Sequence, residues 1–361
     1  MRREPLLLSG SETVRQPFDY SGIHTGNKHL SESRSAVRQV EIGAEEQGQR
    51  LDRALGHLLP GVPRTRLFRL IRRGEVRVNG RRASPDQRLS AGDRVRLPPV
   101  RLDDPAAPGA AAGTRVPAPL VRRVEAGILH ADSRLLVLDK PAGIAVHGGS
   151  GLSFGVIEAL RASRPEESLE LVHRLDRDTS GLLLIARRRS ALRSLHALLR
   201  EGAVKKSYLA LVAGRWREER YMMDAPLRTD LRVGGERTVR VDARGGKESL
   251  TEFRLLERYG TRASLIEAIL HTGRTHQIRV HAAHAGYPVL GDEKYGDAAA
   301  NAEFASLGLK RMFLHAQSCS FVWPDSGEEQ SFNAPLPPEL RQILDRLVVD
   351  TPARRASPRR K

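Results

Sequence analysis

The segment Leu171-Val172-His173-Arg174-Leu175-Asp176-Arg177-Asp178-Thr179-Ser180-Gly181-Leu182-Leu183-Leu184-Ile185-Ala186 sets a carboxylate between two apolar, strand-like stretches. Arg174 precedes Asp176 by two residues and Arg177 follows it directly. The charge is thus held where two strands meet, beside cations that can keep it ionised at neutral pH. A carboxylate so placed can act as nucleophile or general base. The same run also fits an ordinary turn carboxylate with basic neighbours, because ion pairs perturb a pKa without doing chemistry. Taken alone, the segment leaves both readings open.

Working outward, strand patterns recur at residues 127–130, 135–139, 169–172, 181–186, 207–212, 249–257, 262–270 and 312–321. Helical spacing of apolar residues marks 153–162, 190–201, 276–285 and 338–347. Two long strands separated only by the Tyr259-Gly260 turn predict antiparallel pairing. The expectation is an α+β domain over residues 121–348, with a mixed, mainly antiparallel sheet and not a doubly wound one.

Upstream, Leu51, Leu55, Leu58 and Leu59 predict a helix ended by Pro60 and Gly61. A second helix over 65–73 puts Leu67, Leu70 and Ile71 on one face and Arg66, Arg69 and Arg73 on the other, flanked by Arg64 and Arg72. Val76, Val78, the turn Asn79-Gly80, and later Val95 and Leu97 read as short strands. Between Arg64 and Arg77 stand six arginines and one acid, Glu75. A charge run is usually a solvated face; a short, single-signed helix binds phosphate unless something neutralises it. Arg64, Arg66, Arg69, Arg72, Arg73 and Arg77 are therefore the candidate RNA-binding residues. The stretch resembles the alpha-L RNA-binding domain first described in a small-subunit ribosomal protein, through Arg72-Arg73-Gly74-Glu75-Val76-Arg77-Val78-Asn79-Gly80 and Ala91-Gly92-Asp93-Arg94-Val95. That resemblance implies an RNA-binding appendage, residues 39–98, without chemistry of its own. Residues 1–38 read as a disordered arm, 99–120 as a Pro/Ala/Gly-rich linker and 349–361 as a basic tail.

Bulk properties narrow the function. The chain has 361 residues, with 60 Lys and Arg against 43 Asp and Glu and a formal net charge of +17. Such an excess favours a polyanionic partner, nucleic acid first and an anionic membrane surface second. No apolar stretch is long enough to span a bilayer. Aromatic residues are only 4%, so base-stacking platforms are few. The one cysteine, Cys319, forms neither an internal disulfide nor a cysteine-based zinc site. The apolar step at Leu6-Leu7-Leu8 is too short for a signal peptide, which predicts a cytoplasmic protein.

Other motifs carry less. Lys140-Pro141-Ala142-Gly143-Ile144-Ala145-Val146-His147-Gly148-Gly149-Ser150-Gly151 lacks the P-loop ending. No Gly-x-Ser-x-Gly elbow follows it, so an esterase oxyanion loop is disfavoured. It reads as a flexible wall lining a cleft. Asp178-Thr179-Ser180-Gly181 and Asp325-Ser326-Gly327 have the wrong flanks for an aspartic protease dyad. His271, His276, His281 and His284 lack a zinc spacing, and capping and core packing account for them better than a metal. In the surrounding run Leu270-His271-Thr272-Gly273-Arg274-Thr275-His276-Gln277-Ile278-Arg279-Val280-His281 a strand ends, glycine turns the chain, and Arg279 projects from a helix as a forked donor suited to a carboxylate. In Lys205-Lys206-Ser207-Tyr208-Leu209-Ala210-Leu211-Val212, Tyr208 opens an apolar strand.

Together, His173–Gly181, Lys205–Val212 and Thr272–His281 resemble, in order, the three hallmark segments of the RluA family of pseudouridine synthases. With the N-terminal module, the resemblance runs to its RluC-type branch, which modifies uridines in large-subunit (23S) ribosomal RNA. It implies that Asp176 is the catalytic carboxylate and that Arg279 pairs with it. Tyr208 would contact the uracil and assist proton transfer, and Ile278 would pack on the base. Arg174 would fill the gap left by a flipped-out uridine. It further implies large-subunit ribosomal RNA as partner, no cofactor, no metal, no nucleotide cofactor, no membrane, and a monomer. Two other classes remain: an RNA-binding protein that keeps the fold without the reaction, and a hydrolase built on the Gly-rich loop.

Overall fold

Apolar residues spaced three and four apart, followed by alternating ones, build the N-terminal part of the chain. It comprises β1 (Arg38–Glu41), α1 (Leu51–Leu58), α2 (Arg64–Arg72), β2 (Arg77–Val78), β3 (Arg81–Arg82) and β4 (Arg94–Leu97). The computed structural model describes residues 37–44, 46–59, 62, 64–100, 116–148, 154–231 and 237–350. The chain divides into two units, residues 1–110 and 111–361. In the first, four strands pair in the order β1-β4-β2-β3. Leu51, Leu55, Leu67 and Ile71 from the helices pack on Val76, Val78, Val95 and Leu97. Asn79 and Gly80 both take positive φ, 51° and 76°, as a tight turn between β2 and β3 demands.

The second unit opens with α3 (Ala118–Glu125), β5 (Ile128–Ala131), β6 (Leu135–Lys140), α4 (Val156–Ser163), β7 (Glu170–Leu171) and β8 (Ser180–Ala186). There follow α5 (Arg189–Arg200), β9 (Lys205–Ala213), β10 (Arg220–Asp224), β11 (Leu227–Leu231), β12 (Arg237–Val241), β13 (Leu250–Tyr259) and β14 (Ala263–Leu270). The chain then forms α6 (Gln277–His284), α7 (Ala298–Ser306), β15 (Leu314–Val322), β16 (Glu329–Asn333) and α8 (Pro338–Asp350). A ten-stranded sheet runs β10-β13-β14-β9-β15-β8-β6-β5, with β16 beside β15 and β7 beside β8. Among the described residues β8 and β15 pair in parallel, and every other neighbouring pair in this sheet is antiparallel. The fold is thus the α+β class with a mainly antiparallel sheet.

The period of two explains why β6 and β8 are apolar throughout. Leu136, Leu138, Leu183 and Ile185 face one core, shared with Val156, Ile157 and Leu160 of α4 and Val124 of α3. Leu135, Val137, Leu182 and Leu184 face the other, shared with Leu192, Leu195 and Leu198 of α5. Both faces are covered, so the central strands are rigid platforms for the loops at their ends.

Helix α3 begins within the stretch read as linker. Pro117 precedes it, and Leu120, Val121 and Val124 bury against the first core. The N-terminal arm up to residue 36, linker residues 101–115 and the tail from 351 lie outside the described residues.

Candidate active site

Asp176 stands in the loop between β7 and β8, and several contacts fix the path of that loop. His173 accepts a hydrogen bond at Nε2 from the Leu184 N–H, 3.1 Å away. Burial pushes its pKa down to about 3, so the ring is neutral. On the opposite side, Lys140 is fully buried. Its Nζ donates to the carbonyls of Pro141 (3.0 Å), Ile144 (2.9 Å) and Arg177 (3.0 Å). An ammonium has three protons, and here each meets an oxygen. The Gly143 N–H donates to the same Arg177 carbonyl at 2.9 Å. Past the loop, Gly181 at φ 106° pairs with Ala316 across the parallel strands. A side chain there would run into the Ala316 backbone.

Opposite Asp176, strand β9 presents Tyr208, whose cross-strand neighbours are Ala268 and Ala316. Two small flanking residues leave room for the ring. Burial pushes the phenol pKa above its usual value. Between β14 and α6, buried Gln277 stitches the turn together. Its Oε1 accepts from the Arg274 N–H and the Thr272 hydroxyl, both at 2.9 Å. Its Nε2 donates to Leu250 O at 3.1 Å and Thr251 Oγ1 at 2.9 Å. That turn aims α6, and with it Arg279, at Asp176.

The Arg279 fork is directed at a carboxylate, but the forked partner is Asp292. Nε reaches Oδ2 at 2.7 Å and Nη2 reaches Oδ1 at 2.8 Å. Nη1 is left to donate to Asp176 Oδ2 at 3.1 Å. Asp292 is 2% exposed. Burial opposes its charge, yet Arg279 and the N–H groups of Lys294 and Tyr295 outweigh burial and hold its carboxyl below the usual range. Although burial works against its charge too, the two carboxylates keep the Arg279 pKa above normal. The guanidinium also lies 5.0 Å from the Tyr295 ring centroid.

These groups surround a cavity of about 620 Å³. Among the described residues Asp176 is the one acid lining it, facing Arg174, Arg200, Lys206, Arg274 and Arg279. Burial lowers the pKa of Lys206. A single carboxylate in a strongly positive cleft suits a polyanionic substrate on which one acid acts.

The structure brings Arg174, Asp176, Tyr208, Ile278 and Arg279 from three separate segments to this cavity, with Arg174 exposed and Ile278 buried. The arginines of the N-terminal module belong to the other unit. There Arg69, Arg72, Arg73 and Arg77 are exposed and Arg66 is half-buried. The Arg64 side chain lies outside the described residues. Arg77 is held to the turn, donating to Gly74 O at 3.3 Å and Gly80 O at 3.1 Å.

Some participants were invisible in the sequence. Asp292 and Tyr295 sit in a polar run with no motif of their own, and only the fold carries them under Arg279. His276, read as a capping or core residue, does occupy the N-cap of α6, at φ 53°. Its side chain makes no capping bond; Nε2 instead lies 3.8 Å from Asp176 Oδ1. His281 is a true core residue, fully buried between Thr251 Oγ1 and Ala225 O. The Gly-rich loop lines a different cavity, of about 670 Å³, through Lys140, Pro141, Ala142 and Gly143. Residues 149–151 of the loop lie outside the described residues.

Comparison with known proteins identifies the family. Residues 134–284 match the RNA pseudouridylate synthase family and residues 49–95 match the S4 domain. The chain is 52% identical over 313 residues to the ribosomal large subunit pseudouridine synthase C of Pasteurella multocida, covering 86% of this chain and 94% of that one. It is 49% identical over 318 residues to the protein of the same name from Escherichia coli K12, covering 86% and 97%. Among solved structures, human RNA pseudouridylate synthase domain containing 4 superposes with a TM-score of 0.53 at 26% identity, covering 63% of this chain and 95% of that one. Its human counterpart, domain containing 1, gives 0.51 at 28%, covering 67% and 98%. About half identical over 86% of its length to each of these two relatives, and with both domains matched, the chain belongs to the pseudouridine synthase family, in its RluA branch.

Proposed function

We propose that this protein converts specific uridines of large-subunit (23S) ribosomal RNA to pseudouridine, with Asp176 as the reacting carboxylate. The observation that carries the reading is the placement of Asp176 at a cavity where Arg279, Tyr208 and Ile278 converge. The isomerisation breaks a carbon–nitrogen glycosidic bond, turns the freed uracil and rejoins it through carbon. Atoms and electrons balance within the nucleotide, so the reaction calls for no cofactor. A base stacked in a helix cannot reach such a pocket, so the target uridine is flipped into it. Exposed Arg174 fills the vacated position, Ile278 packs on the base, and Tyr208 contacts the uracil and assists proton transfer. Arg279 orients the carboxylate, and Arg200, Lys206 and Arg274 receive backbone phosphates. The arginines of α2 and the following turn hold structured RNA. The relatives' names support the large-subunit substrate. Among the described residues no helix is long and apolar enough to cross a membrane. We place the enzyme in the cytoplasm, acting as a monomer.

The test is Asp176→Asn, incubated with 23S RNA fragments and read by carbodiimide-stable stops to reverse transcription. Pseudouridine formation should vanish while RNA binding stays within a few-fold of wild type, about 1 kcal/mol or less. Full activity in the purified variant would end the assignment.

A further inference from the structure

His276 is the one non-glycine residue among those described that takes positive φ outside a hairpin turn. Strain of this kind persists where the surroundings impose it, and clusters at functional sites. The side chain of this residue stands at the end of a chain of hydrogen bonds. The Val239 N–H, on β12, donates to Tyr295 Oη at 2.9 Å. The Tyr295 hydroxyl lies 2.8 Å from His276 Nδ1, and with Val239 donating to its oxygen the phenol proton is available to that nitrogen. An accepting Nδ1 leaves the ring proton of the neutral imidazole on Nε2. That nitrogen faces Asp176 Oδ1 at 3.8 Å. The other carboxylate oxygen, Oδ2, already receives Arg279. Tyr295 therefore supports both donors, since its own N–H also bonds Asp292 Oδ1 at 3.1 Å, under Arg279. Burial of the ring lowers the His276 pKa, in keeping with a neutral imidazole.

We propose that His276 is a positioning residue for Asp176, its tautomer set by Tyr295 so that Nε2–H closes on the carboxylate oxygen that Arg279 leaves free. Catalytic hydrogen bonds are commonly long in the free enzyme and tighten around substrate. The strand that begins the relay is anchored beside it: Leu227 and Val239 of the β11–β12 pair pack on Val280 of α6. Undocking the hairpin would remove the Val239 donor and free the tautomer.

The inference rests on Asp176 being the reacting group, and two measurements on the full chain separate them. In protein with 15N-labelled histidine, the His276 resonances are identified by their loss in His276→Asn, a residue that tolerates the left-handed backbone. Wild type should show a protonated Nε2 and an unprotonated Nδ1, and Tyr295→Phe should mix the tautomers. This readout does not depend on which residue reacts. In turnover assays on 23S fragments, His276→Asn and Tyr295→Phe should each lower kcat by about tenfold or more with KM little changed, the loss expected for one hydrogen bond to a charged group. His276→Gln, which can return an amide donor to the Nε2 position, should recover part of it. A protonated Nδ1 in wild type, or an unchanged kcat in Tyr295→Phe, overturns the proposal. An active Asp176→Asn protein instead overturns the reading beneath it.

Discussion

Arg279 serves two carboxylates with one guanidinium, and the division of labour is unequal. Its fork is committed to fully buried Asp292, and a single N–H is offered to Asp176. The buried pair thus works as a mount, fixing the arginine so that its free donor needs no search. Removing one partner of a buried pair leaves an uncompensated charge, which is why such deletions cost more than the pair is worth. Asp292→Asn should therefore destabilise the protein by about 3–5 kcal/mol in urea unfolding and lower kcat as well. A change below about 1 kcal/mol would mean that the pair is solvated and the mount is not one.

At the scale of elements, the parallel pairing of β8 with β15 places the Asp176 loop. Asp176 lies just ahead of β8, and the register Ser180 to His315 and Gly181 to Ala316 sets where β8 begins. Gly181 permits this because the backbones meet closely at positive φ. Gly181→Ala should cost about 2–6 kcal/mol, strain and overpacking together, and displace the loop. Thermal unfolding and activity should fall in step; a fully stable variant would show that the strands can separate without harm. Strands and helices that bury a whole apolar face were legible from periodicity. The β11–β12 pair and β16 were not, since β11–β12 carries charge pairs such as Arg240 with Asp230 and β16 alternates at an exposed edge. Nor was α7, whose alanines carry no apolar stripe and bury only Phe304.

For the molecule as a whole, the question is what the N-terminal unit adds. Its exposed Arg69, Arg72 and Arg73 share one short helix end. We expect their joint replacement by alanine to flatten the salt dependence of RNA binding, by about 0.7–0.9 in log–log slope for each phosphate no longer neutralised. kcat at saturating RNA should hold, since no chemistry is assigned to that unit. An unchanged slope in a filter-binding series would refute the phosphate role.

Local patterns in the chain were enough to read the class of fold and to propose two modules and a central carboxylate. Each of these is written in local patterns: a period of two or of 3.6, a turn dipeptide, a run of residues in order. Asp292 and Tyr295 entered only with the tertiary structure, as did the approach of His276 to Asp176. The bonds that build their surroundings join residues 13, 56 and 103 apart in the chain, as with Arg279 to Asp292, Val239 to Tyr295 and Arg279 to Asp176. Hydrogen-bond direction and burial decide what such residues do, and neither exists until the strands and α6 have brought the segments together.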